Sequence, residues 1–163
     1  MEIREIRTDE AERVSEVMRE AFAAVAERLN MTEAEYPHYA GFERVEGVVN
    51  TFAHGARAFG LFHEDMMVGT VRCWMIGEDV GEVGRLAVLP AYRGRGYGEA
   101  LVARAEEALR EQGAARAALK LVRHFTRLEA FYAGLGYSAC GDEDYDFLPF
   151  NGRKMAKTLE ETE

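Results

Sequence analysis

Cysteine is scarce in this chain. Cys73 and Cys140 are its two cysteines, and no metal-type spacing relates them. Neither has a histidine close by in sequence, and Cys73 lies inside a strand-like pattern, so neither reads as an acyl-transfer nucleophile. The four histidines, His38, His54, His63 and His124, show no ligand spacing, so no metal is expected. Long apolar runs are missing too, and nothing approaches the length of a membrane span. The opening MEIREIRTDE lacks the apolar core of a signal peptide. With so few cysteines, a reducing cytoplasmic location is the expectation. Positive charge is also short. Lys and Arg number 20 against 29 Asp and Glu, a net charge of −9, which argues against a nucleic-acid partner. There is no internal repeat, linker or low-complexity segment.

What is present fits one domain over 1–163. The chain is 48% hydrophobic and 30% charged, and its 163 residues can bury a full core. Residues 2–7 read as a short strand. Thr8-Asp9 opens a helix, with Glu12 able to complete a capping box on Asp9. Val14, Val17, Met18, Ala21, Phe22, Val25 and Leu29 share one helical face and read as core. Residues 30–56 are harder to read. Thr32 and Glu35 form another capping box, Pro37 interrupts it, and Val45, Val48, Val49 and Phe52 suggest a short helix near 43–54.

The rest alternates more clearly. Residues 57–63 read as a strand, Glu64-Asp65 as a hairpin turn and 66–76 as the partner strand. Residues 82–89 form a strand that Pro90 stops, and 99–112 form a helix that Gly113 ends. Strand 116–122 follows. A strand–helix–strand crossover is right-handed, which makes 82–89 and 116–122 parallel neighbours. A helix over 127–135, short strands at 137–140 and 145–147, a turn at Asn151-Gly152 and a strand over 153–159 complete the reading, with a solvated tail at 160–163.

The centre of the chain is Arg93-Gly94-Arg95-Gly96-Tyr97-Gly98, set between a strand and a helix. The first N–H groups of a helix lack internal partners and carry partial positive charge. A phosphate can accept those bonds if no side chain blocks its approach, and three glycines clear the way. Arg93 and Arg95 add charge suited to phosphate oxygens. A Walker loop would end Gly-Lys-Ser/Thr, whereas this loop continues Gly-Glu-Ala. A dinucleotide-binding turn would want an acidic residue at the end of a second strand, and Glu111 lies instead on the helix.

Residues 86–101, LAVLPAYRGRGYGEAL, resemble the acetyl-CoA signature of the GNAT (Gcn5-related N-acetyltransferase) superfamily, with Arg93, Gly96 and Gly98 on its fixed positions. Phe131-Tyr132-Ala133-Gly134-Leu135-Gly136-Tyr137 resembles a second block of that family at the usual distance. The resemblance is strong over 82–137 and says little about 30–56. It implies an α/β (α+β) fold: a mixed, mostly antiparallel central sheet with helices on both faces, splayed beside the signature strand. It further implies transfer of an acetyl group from acetyl-CoA to a primary amine by direct attack in a ternary complex, with no metal. Leu86, Ala87 and Val88 would hold the pantetheine arm through their backbone. Arg93, Gly94, Arg95, Gly96, Tyr97 and Gly98 would hold the phosphates. Glu82 is the implied general base, directly or through water, because an alkyl amine with a pKa near 10.4 must lose a proton before it attacks. Tyr132 is the implied acid for the leaving thiolate, and Tyr137 reads as core. The family often has an asparagine seven residues before the acid tyrosine. Phe125 stands there, with His124, Thr126 and Arg127 as neighbours that could compensate.

The acceptor, a small-molecule or peptide amine, is left open, as is a homodimer. The net negative charge and the acidic run at 142–144 suit a cationic amine, although such runs are usually solvated surface. In the resembling family 30–56 forms a lid over the acceptor; a helical hairpin without a ligand role is the plainer alternative. The rivals are a non-catalytic acyl-CoA-binding or sensor module on the same fold and, more distantly, a nucleotide-binding domain that holds ATP in the same loop.

Overall fold

The computed structural model describes residues 1–122, 126–144 and 151–159. Phe125, His124, the strand expected at 145–147 and the 160–163 tail lie outside the described residues. Among the described residues seven strands form one sheet: β1 (Glu2–Glu5), β2 (Arg57–His63), β3 (Met66–Met75), β4 (Val80–Val88), β5 (Arg116–Val122), β6 (Ser138–Asp144) and β7 (Asn151–Thr158). Four α-helices accompany them among the described residues: α1 (Ala11–Arg28), α2 (Val45–Ala53), α3 (Tyr97–Glu111) and α4 (Thr126–Gly134). The strand order is β1-β2-β3-β4-β5-β7-β6, and every neighbouring pair is antiparallel except β4 with β5.

The central strands are covered on both faces. Five consecutive positions of β2 and seven of β3 are buried, the pattern of strands sandwiched between helices. A Cβ on Gly69 or Gly81 would meet Leu101 or Leu109 of α3. The Arg72 side chain, on the opposite face of β3, reaches Thr51 of α2. Val14, Val17, Met18 and Ala21 of the α1 stripe are buried as their spacing requires, whereas Leu29 beyond the helix is exposed.

Several local details differ from the sequence expectation. The glutamate that caps the start of the first helical segment is Glu10, not Glu12: its Oε1 accepts from the Arg7 N–H at 3.1 Å. Arg4 holds the same carboxylate at 2.7 Å, which fixes it one turn earlier. Half of the Thr32–Glu35 box is present, with the Glu35 N–H donating to Thr32 Oγ1 at 3.3 Å, but it closes a turn, and only a 3₁₀ turn at Ala40–Phe42 follows before α2. In the hairpin between β2 and β3, Glu64 and Asp65 both adopt left-handed φ values, 49° and 69°. Such a turn matches the twist of the flanking strands. α3 starts at Tyr97, two residues earlier than its apolar pattern suggests, because Gly96 (φ 80°) serves as its left-handed N-cap.

Candidate active site

β4, the turn after it and α3 build a concave backbone surface. β4 ends at Val88, a 3₁₀ turn covers Pro90–Tyr92, and the glycine-rich segment leads into α3. Gly94 (φ 77°) and Gly96 (φ 80°) take left-handed conformations that strain other residues. A Cβ at either would meet no protein atom within 4 Å, so within the protein it is the bend that requires these two glycines. Gly98 differs: a Cβ there would sit 3.4 Å from Phe131 Cζ and 3.9 Å from Leu86 Cδ2. The backbone N–H groups from Gly94 to Glu99 have no protein partner among the described residues. They are the donors a phosphate needs.

The two arginines of the turn do different things. Arg93 Nε donates to the Val88 carbonyl at 3.0 Å, and its Nη2 donates to the Ala21 carbonyl at 2.8 Å. Its side chain therefore clamps the turn to the end of β4 and to α1. Arg95 is exposed, with its guanidinium 5.6 Å from the centre of the Tyr92 ring. Glu111 pairs with Arg57 at 2.9 Å, a contact between α3 and β2 remote from the turn.

The sheet opens beside β4. β4 and β5 pair only through Val80–Arg116, Gly81–Ala117 and Glu82–Ala118; beyond that β5 pairs with β7 alone. On its other side β4 stays paired to β3, but with a bulge: Thr70 faces Ala87 while Arg72 faces Gly84, so β4 holds one extra residue. Arg85 in that bulge has φ 55°, unusual for a side-chain-bearing residue. A bulge bends and twists its strand, which accounts for the divergence from β5. Leu86, Ala87 and Val88 thus turn a strand edge, unpaired with β5, toward the opening.

Glu82 stands at the last pair before the split, opposite Trp74 of β3 and Ala118 of β5, and is half-buried. Tyr132 on α4 is 7% exposed and packs edge-on against Phe131 (5.0 Å between ring centres) and Tyr137 (5.8 Å). Phe131 in turn lies where a Cβ on Gly98 would touch it, so α4 comes close beside the start of α3. Burial pushes the Tyr132 phenol up to about 12, so it stays protonated at any ordinary pH. No described residue hydrogen-bonds its hydroxyl. Tyr137 is a core residue: its hydroxyl donates to Glu106 Oε2 at 2.8 Å, and Lys157 holds the other Glu106 oxygen at 3.0 Å.

Residues 12–137 match the family model described as the acetyltransferase (GNAT) family. The chain belongs to the GNAT family. A Bacillus subtilis (strain 168) protein, whose name gives acetyltransferase and no acceptor, is 34% identical over 82 residues, 50% of this chain. The chain spans about half (53%) of that relative's length. The PaiA N-acetyltransferase of Thermoplasma acidophilum, solved with coenzyme A, superposes with a TM-score of 0.78 at 21% identity, covering 97% of this chain and 98% of its own. The yncA protein of Salmonella typhimurium, solved with acetyl-CoA, superposes with a TM-score of 0.76 at 14% identity, covering 100% of this chain and 96% of its own. At such identities these two establish the fold.

On the α1–α2 side of this GNAT sheet lies a cavity of about 690 Å³, walled by the segment 33–51 and by Arg85. Its floor is an ion cluster that the sequence reading missed. Arg72, completely buried on β3, pairs with Glu43 and donates through Nη1 to Thr51 Oγ1 at 3.3 Å. Arg85 Nη1 lies 3.8 Å from the other Glu43 oxygen. Burial lowers the pKa of Arg72, and Glu43 opposes that shift. A lone arginine in the apolar run 66–76 was the available signal, since a buried charge demands a partner. Among the described residues no cluster of His, Cys, Asp or Glu could hold a metal, and no helix is long and apolar enough to cross a membrane.

Proposed function

We propose that this protein transfers an acetyl group from acetyl-CoA to a primary amine by direct attack within a ternary complex. The observation that carries the reading is the junction of three features. Unpartnered N–H groups lie at the glycine-capped start of α3, the edge of β4 that leads to them is split from β5, and Phe131, which packs on the buried Tyr132, lies beside Gly98. The residues present fit the group. Gly94, Arg95, Gly96, Tyr97 and Gly98 would hold the phosphates, with Arg93 bracing the turn. Leu86, Ala87 and Val88 would bind the pantetheine amides as an added strand would. Bound acetyl-CoA supplies an activated thioester carbonyl. A backbone N–H freed by the bulge at Arg85–Leu86 would meet the negative charge that develops on the carbonyl oxygen. Glu82 would take the amine proton, directly or through one water, and Tyr132 would hand its proton to the departing sulfur.

The acceptor would be a small-molecule or peptide amine taken from the α1–α2 side. A reducing cytoplasm suits the free thiols of Cys73 and Cys140. Calorimetric titration with acetyl-CoA, with ATP as control, tests the reading first. Micromolar binding of acetyl-CoA and none of ATP is expected, followed by CoA release with an amine panel. Binding without turnover of any amine would leave an acyl-CoA-binding module. No binding at millimolar acetyl-CoA would overturn the assignment of the turn.

A further inference from the structure

We infer that the acceptor is an amino acid, a primary amine that carries its own carboxylate, and that Arg85 is the residue that selects it. The inference rests on the acetyl-transfer reading and narrows it. It starts from charge balance in the cavity. Glu33 on the outer wall is satisfied by Arg19 at 3.2 Å and Arg44 at 2.9 Å. Arg19 also donates to the Glu43 and Phe42 carbonyls at 2.7 and 3.2 Å, so this wall is fastened to α1. At the inner end two guanidinium groups share one carboxylate. Glu43 lies against Arg72 and is only 3.8 Å from Arg85, too far for a hydrogen bond. Arg85 is one-third exposed and has no hydrogen bond among the described residues. Glu46, the remaining carboxylate in the lining, sits exposed on the first turn of α2. The Arg85 guanidinium at the inner end therefore keeps donors that no described residue uses, and a carboxylate would take them through paired N–H bonds.

Position adds a second argument. Arg85 occupies the bulge with a left-handed φ of 55°, where glycine would sit without strain. Its side chain enters the cavity, while the next residues, Leu86 to Val88, form the strand edge that faces the split. Arg85 thus stands between the cavity and the point of acetyl transfer. Glu82 is on the same face of the sheet, one cross-strand pair from Arg72, whose partner is Gly84. An amine directed at the split would leave a carboxylate a few bonds away within reach of Arg85. A peptide N-terminus has an amide at that place and brings no such charge. A volume of about 690 Å³ suits a small molecule.

The test uses the full chain and matched acceptor sets: each of the common L-amino acids, its amide, and the amine left by removing the carboxyl group. Acetyl-CoA affinity is measured on the same protein by calorimetry. The wild type should favour at least one amino acid over its amide by tenfold or more in kcat/KM. Arg85→Gly should keep or raise the thermal midpoint, because it relieves the backbone. It should bring the acid-to-amide ratio close to one, chiefly by raising KM for the acid, and Arg85→Lys should restore part of the preference. A wild-type ratio near one, a ratio unchanged in Arg85→Gly, or no turnover of any amino acid by protein that binds acetyl-CoA would overturn the inference. Failure to bind acetyl-CoA at all would remove the transferase reading first, and this inference with it.

Discussion

Tyr132 and Glu43 show two ways in which a single side chain matters here. The Tyr132 hydroxyl has no hydrogen-bond partner among the described residues, so its removal leaves nothing unsatisfied. Tyr132→Phe should therefore fold normally and bind acetyl-CoA with nearly native affinity, yet lower turnover about 10²-fold. Calorimetry and steady-state rates on the same preparation check this, and unchanged turnover would remove the proton-donor role. Glu43 is structural in the opposite sense. Its loss leaves the Arg72 guanidinium buried without a counter-charge. Glu43→Gln should cost about 3–5 kcal/mol. At ~2–4 °C per kcal/mol for a chain of this size, thermal unfolding should start on the order of 10 °C lower. A midpoint within a degree of wild type would mean that the pair contributes nothing. The two residues were not equally legible. Tyr132 falls in a short block of adjacent residues, whereas Arg72 and Glu43 are 29 positions apart and meet only when α2 docks on the sheet.

At the scale of elements, two glycines separate packing from ligand binding. A Cβ on Gly81 would lie 2.4 Å from Cδ2 of Leu109, which is completely buried on α3. Gly81→Ala should therefore push α3 away from β4 and cost about 1–3 kcal/mol, readable as a lower urea midpoint. A Cβ on Gly98 meets only ordinary contacts with Phe131 and Leu86. Gly98→Ala should leave the midpoint level or raise it, since alanine suits a helix better than glycine. Because that methyl would sit beside the unpartnered N–H groups, acetyl-CoA should bind about tenfold more weakly, a loss of ~1.4 kcal/mol. A Gly98→Ala protein with native affinity would move the phosphate site elsewhere. Elements with strong periodicity were readable: β2 and β5 have the bounds their sequence suggests. The bulge in β4 was not, because an arginine, not a glycine, holds its left-handed position. The turns before α2 were opaque for a different reason, since Arg19 of α1 and Glu33 organise them from a distance.

Across the whole molecule, topology was partly legible. The crossover through α3 dictated that β4 and β5 run parallel, as they do. The insertion of β7 between β5 and β6 had no sequence signal, because strand order depends on which edges remain unpaired once the others have formed. The assembled core also sets the behaviour of the protein in alkali. Burial pushes the phenols of Tyr39 and Tyr132 up to about 12 and the Cys73 thiol up to about 11. Tyr137 moves further in the same direction, through burial and the adjacent Glu106 carboxylate. All four are neutral when protonated, and unfolding returns them to ordinary values near 8.5 for the thiol and 10 for the phenols. Below about pH 8.5 they are protonated in both states and the stability they contribute is complete. As pH rises from there to about 12 the unfolded chain releases protons that the folded chain retains. Each withheld proton then weakens the fold by up to about 1.4 kcal/mol per pH unit. The urea midpoint should accordingly be level from pH 7 to 8.5, begin to fall near pH 9 with Cys73, and fall faster between pH 10 and 12. Phenolate absorbance should show the buried tyrosines ionising together with unfolding. A midpoint that stays level to pH 12, or full phenolate absorbance before the fold is lost, would place these side chains in contact with water and contradict the packing that holds α4 against α3.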